Sequence, residues 1–164
     1  MKKLRTTFLR AVVVGGVAGS SMSFGQTIPK QANFEATYSV EAQILMSIDA
    51  GNSQALRLYH ASLDFTNNSN PPLFKNISAS CVESAFTAAG ESGYCVYIDR
   101  DGDKFVETIV RPANTKVGKG VLGSGTGKFA GITGQVSWET LSRPATRHGT
   151  FSFRGKMTGN YQIP

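Results

Sequence analysis

An all-β fold, an antiparallel barrel closed from about eight strands, is what this sequence predicts. Three observations carry the expectation. An apolar/polar alternation runs unbroken for most of the stretch from Phe34 to Ile48. A succession of shorter strand-like runs follows, each bounded by turn residues, and no convincing amphipathic helix occurs after the first 25 residues. A sheet with that many strands avoids exposed edges by closing on itself.

The first long strand is the plainest. Phe34, Ala36, Tyr38, Val40, Ala42, Ile44, Met46 and Ile48 share one parity, and polar residues occupy the other, broken only by Leu45. Alternation of this length signals a half-buried strand that bends or belongs to a barrel wall. Ala50 to Ser53 supplies a turn, and Leu56 to Phe65 returns with Tyr59, Ala61, Leu63 and Phe65 on one face. His60 falls on the other parity with no ligand pattern around it, and reads as a surface or hydrogen-bonded histidine. Asn67 to Pro72 is a loop by composition. Strands are expected around Phe74 to Thr87, Tyr94 to Asp99 and Lys104 to Arg111. The alternating aspartates Asp99, Asp101 and Asp103 suggest a calcium loop, but the glycine comes too early and Val110 stands where the twelfth-position Glu belongs. A hairpin turn on Asp101-Gly102 explains them better, and no metal site is assigned.

From Gly118 to Trp138 the chain places seven glycines in 21 positions, with Phe129 and Ile132 as apolar plugs. Glycine weakens helix and strand interiors, so this density implies a strand, a tight corner and a return strand. Gly131 or Gly134 is expected where φ is positive or where a Cβ would clash. Strands from Gln135 to Leu141 and from Thr150 to Met157 follow, separated by a turn at Pro144 to His148, and the tail Tyr161 to Pro164 closes the sheet.

The N-terminus reads as a targeting segment. Lys2, Lys3, Arg5 and Arg10 stand without an acid before the apolar run Ala11 to Ala18, and Ser23 and Gly25 precede a cut before Gln26. That order is a signal peptide over residues 1–25, leaving one domain over 26–164 that is exported to the periplasm or beyond. The apolar run is too short to span a membrane, so no membrane span remains after removal. The formal charge of +6 then falls to near +2, with 13 basic residues against 11 acidic, and nucleic acid is excluded as a partner because no basic stripe is left. Export places Cys81 and Cys95 in an oxidising compartment, where they form a disulfide or stay as buried thiols.

The C-terminal half resembles plant allene oxide cyclase and, more loosely, the dirigent proteins. The resemblance lies in Gly93-Tyr94-Cys95-Val96-Tyr97-Ile98, then Gly102-Asp103-Lys104-Phe105 and Thr108, then GSGTGKFAGITGQV from Gly123 to Val136, then Pro144 and Thr150 to Lys156. It implies a calycin-type barrel of about eight strands with an apolar cavity, assembly into trimers, and cofactor-free ring closure of an unstable fatty-acid epoxide. Cys95 matches the family's cavity cysteine, and strand alternation puts Tyr97 on the same side. Trp138, the only Trp, and Arg154 are weaker candidates for the cavity wall. Arg154 has the opposite parity to Phe151 and Phe153, which favours solvent.

No activated nucleophile, metal cluster or carboxylate pair is legible, so no catalytic residue is assigned and no cofactor is expected. The favoured function is a barrel binding a small apolar molecule, against a cofactor-free cyclase or isomerase and a secreted structural protein with a filled interior. A cavity holding Glu, Asp or Tyr beside apolar walls favours the enzyme, and a wholly apolar one favours the binder. The leader reading makes a direct prediction: N-terminal sequencing of the exported protein gives a start at or near Gln26, and retention of Met1 refutes it.

Overall fold

The computed structural model describes residues 28–66, 72–143 and 146–164. The leader, the loop at 67–71 and Pro144 therefore lie outside the described residues. Eight antiparallel strands form one closed barrel: β1 (Gln31–Gly51), β2 (Gln54–Phe65), β3 (Ile77–Phe86), β4 (Gly90–Asp99), β5 (Lys104–Pro112), β6 (Val117–Gly123), β7 (Thr133–Ser142) and β8 (Thr150–Gln162). Each strand pairs with its neighbours in sequence, and β1 closes the ring against β8 from Gln31↔Gln162 to Gln43↔Thr150.

The interior follows from alternation. Phe34, Ala36, Tyr38, Val40 and Ala42 of β1 are buried, as are Tyr59, Ala61 and Leu63 of β2, while their polar neighbours face water. One end of the barrel is plugged. Leu73 and Phe74 of a 3-10 turn (Pro72–Phe74) and Phe129 of another (Gly127–Phe129) are fully buried there, with Ile132 beside them. Among the described residues the other end, where the β1–β2, β3–β4 and β5–β6 turns gather, is open.

Two expectations are corrected. Met46 and Ile48 share the parity of the buried residues but are 46% and 49% exposed. The register shifts between Ile44 and Met46, and from there β1 pairs with β2 alone, so this two-stranded end projects beyond the wall and has no interior to bury into. Phe74 does not begin a strand: it belongs to the plug, and Asn76 at φ 59° turns the chain into β3 at Ile77. The tail needs no separate closing element, because β8 runs through it to Gln162.

The Asp-Gly turn joins β4 to β5. Asp99 accepts the backbone N–H groups of Asp101 and Asp103 at 2.9 and 3.0 Å, and Lys128 forms ion pairs with Asp99 and Asp101. Self-capping of this kind fixes a turn through its own backbone donors. His60 bonds Ser80 Oγ at 2.8 Å on the outer face.

In the Gly-rich corner, Gly131 has φ +75°, and a Cβ there would stand 2.8 Å from Pro164 Cγ. Gly134 has no room for a side chain because the Asn160 carbonyl of β8 crosses directly over it. Gly131→Val and Gly134→Val each lower stability by more than about 1 kcal/mol through strain or collision. Urea midpoints measure this, and unchanged values in both variants would show the corner to be ordinary loop.

Candidate functional site

The inward positions of β4 and β5 build the site in rows. Tyr97 lies opposite Phe105, Cys95 opposite Glu107, Gly93 opposite Ile109, and Glu91 opposite Arg111. The lowest row is aromatic: Tyr97 stacks on Phe105 with ring centroids 4.6 Å apart, and Phe74 and Phe129 meet this stack edge-on at 5.7 and 5.0 Å. Above this floor a cavity of about 850 Å³ opens through the unplugged end. Its wall includes Tyr38, Tyr59, Glu83, Glu107, Trp138 and Phe151. Volume and mixed lining fall in the range of small-molecule sites.

Two of the three carboxyls in the wall, Glu83 and Glu107, take a phenol as hydrogen-bond donor. Glu107 of β5 is 1% exposed and accepts a hydrogen bond from the Tyr97 hydroxyl through Oε2, while its Oε1 has no partner. Its position depends on Gly120 of β6, over which Oε1 lies; any Cβ at Gly120 would strike that oxygen. Glu83 of β3 accepts a hydrogen bond from Tyr59 at 3.1 Å. Burial pushes both carboxyls up to about 7, with repulsion from Glu91 adding at Glu83 and repulsion from Glu83 adding at Glu107; the phenol hydrogen bonds oppose the rise. Burial likewise raises the phenols of Tyr38, Tyr59 and Tyr97, which stay protonated donors at any ordinary pH.

Nearer the mouth, Arg111 pairs with Glu91 and its guanidinium lies 5.4 Å over the Trp138 ring. Trp138 rests on Gly118, where a Cβ would enter the indole, and its Nε1 has no partner. Gly118 and Gly120 thus bare the inner face of β6 so that Trp138 and Glu107 can lie against it. Arg57, Lys116 and Arg143 line the rim and are exposed.

The structure brings Cys95, Tyr97 and Trp138 together on this wall. Cys95 is not a thiol: it is bonded to Cys81, directly opposite on β3 with Cα atoms 4.0 Å apart. The 14-residue separation corresponds to roughly 3 kcal/mol of chain-entropy stabilisation. Cys81, Cys95 and Glu83 lie close enough for metal ligation, but the disulfide consumes both sulfurs. Arg154 is corrected: it is exposed on the outer face, because the buried neighbours Gly155 and Met157 of β8 take the inward positions beside it. The carboxyls and Tyr38 were not singled out from sequence. A signal existed, since Glu83 and Glu107 occupy the parity of Cys81 and of Phe105 and Ile109. An acid on an otherwise buried parity marks a site.

No family model and no curated protein matches the chain. Among solved structures it is similar to a pterocarpan synthase dirigent protein, at 11% identity and a TM-score of 0.49, over 84% of this chain and 94% of that one. The likeness concerns the course of the chain and assigns no residue a role.

The carboxyls set a pH dependence. Each folded-state pKa is raised above its unfolded value of 4.5, so the folded state holds extra protons and stability is greatest below pH 4.5 on this account. It declines as pH rises through about 7. Urea midpoints therefore fall between pH 5 and 8, and Glu107→Gln flattens that slope and stabilises the protein at pH 8. A wild-type slope retained by Glu107→Gln would refute the assignment.

Proposed function

We propose that this protein is a barrel that binds a small, largely apolar molecule in its interior. The observation that carries the reading is the cavity of about 850 Å³, open at one end above an aromatic floor. Aromatic and aliphatic walls supply most of the affinity for such a ligand, and a few polar groups orient it. The filled-barrel alternative is opposed by that open volume. In the same reading the chain is exported, begins at Gln26 once its leader is removed, and keeps its disulfide because its compartment is oxidising. Trimer formation and the kinship with allene oxide cyclase rest on the sequence resemblance.

A second reading, a cofactor-free cyclase or isomerase, is favoured by a specific observation: two carboxyls near neutrality, each hydrogen-bonded to a phenol, inside the cavity. A carboxyl with a pKa near 7 both gives and takes protons at neutral pH. Holding a flexible substrate in a reactive conformer supplies much of the remaining rate. Since Cys95 is in a disulfide, proton transfer in this reading falls to Glu107 and Glu83.

Native mass spectrometry of the mature protein from its own host tests the binding reading. The expected result is an added mass of small-molecule size that is released on denaturation and reduced in Tyr97→Phe, which leaves Glu107 without its donor. A protein that carries no added mass, and that gains none when incubated with a lipid extract of that host, overturns it. Chemical conversion of the released molecule by wild type, lost in Glu107→Gln, decides for the enzyme.

A further inference from the structure

We infer that the ligand of this cavity is an organic amine, an apolar molecule that brings a protonated nitrogen to Glu107 and Glu83. The inference rests on the binding reading and narrows it. Its ground is charge and hydrogen-bond accounting within the wall.

Three acids face the interior: Glu83, Glu91 and Glu107. One cation, Arg111, is committed to Glu91 and to the Trp138 face. Among the described residues neither Glu83 nor Glu107 forms an ion pair; each has only a phenol, Tyr59 or Tyr97, as donor. Glu107 is the more demanding of the two, being 1% exposed with Oε1 unpartnered. A buried carboxylate oxygen without a donor is costly; Glu107 Oε1 is closed over by Gly120, so a cationic ligand offsets that cost through its charge beside the wall while it contacts Glu83 directly.

Ligand classes differ in what they do here. A hydrocarbon leaves the orphan oxygen unpaired. A carboxylate ligand sets like charge against two acids in a site of low dielectric. An alcohol supplies one neutral hydrogen bond. A primary ammonium supplies up to three charge-assisted ones and neutralises the wall. The rings of Tyr38 and Tyr59 stand around the same space and suit the ammonium and its apolar substituent together, while Phe151 already carries the Arg143 guanidinium 5.9 Å over its ring.

The rim opposes this choice, since Arg57, Lys116 and Arg143 are positive. Those three are exposed to water and screened by salt, whereas Glu107 is enclosed. The enclosed charge therefore decides equilibrium affinity, and the rim slows cation entry at low salt. The groups facing the two carboxyls are Tyr38 of β1, Tyr59 of β2, Glu91 and Tyr97 of β4 and Arg111 of β5. Arg111 and Glu91 are paired with each other. Ionisation of Glu83 and Glu107, both about 7, therefore governs the pH response.

The test uses the mature protein and three probes of similar shape: phenethylammonium, 3-phenylpropanol and 3-phenylpropanoate. Trp138, the only Trp, stands in the cavity wall and reports binding by its fluorescence. At pH 8 phenethylammonium is expected to bind at least about tenfold tighter than the alcohol, with the carboxylate weakest. Affinity for the ammonium rises between pH 6 and 8, and that for the alcohol does not. Glu107→Gln, which keeps the shape and removes the charge, brings the ammonium/alcohol ratio below about threefold. Should that variant not fold, Glu83→Gln serves as the same test. Tighter binding of the alcohol or the carboxylate at pH 8 overturns the amine assignment while leaving a small-molecule site in place. An ammonium preference that survives in the folded variants, or no binding by any probe, also overturns it; the fate of the binding reading itself is decided by the retained mass.

Discussion

Closure of β1 onto β8 is the constraint on which everything else depends. The two longest strands in the chain meet there, from Gln31↔Gln162 to Gln43↔Thr150, and their pairing converts a meander of hairpins into a ring. Once the ring exists, every inward residue faces every other across a shared interior, and the period of two along each strand becomes an inside and an outside. The projecting end of β1 shows the same rule in reverse. Where the pairing with β8 stops, Met46 and Ile48 lose the enclosed side and stand in water.

Plugging one end of the ring creates the cavity. Phe74 and Phe129 come from two separate 3-10 turns and meet the Tyr97–Phe105 stack from different sides. Rings packed this way seal one end against water. Among the described residues the opposite end has hairpin turns around it, with Arg57, Lys116 and Arg143 on its rim. The interior therefore grades from aromatic floor to acidic waist to basic mouth.

The waist is held at a cost to stability. Two glutamates are kept where burial disfavours their charge, and phenol donors only partly offset it. Gly118 and Gly120 leave space for Trp138 and Glu107 rather than for packing residues of their own. A barrel shaped only for stability would fill those positions with aliphatic side chains. The disulfide between Cys81 and Cys95, in the same band of the wall, cross-links β3 to β4 where the acids weaken the core.

Local pattern by itself determined much of this protein. The alternation from Phe34, the turn at Asp101-Gly102 and the glycines from Gly118 onward are properties of neighbouring residues, and backbone sterics read them directly. Strand parity also placed Cys95 beside Tyr97 and gave the reason to expect Arg154 in solvent. What only the tertiary structure decided is which inward residues of different strands share a row. Glu107 fits into the wall because Gly120 of another strand vacates the space beside it and Tyr97 of a third element donates to it. The same holds for Tyr59 and Glu83, and for Arg111 over Trp138. Tyr97 and Glu107 share one hairpin, but Tyr59 and Glu83 are 24 residues apart and Arg111 and Trp138 sit on strands that do not pair, so these contacts come from barrel register and closure rather than from any local pattern.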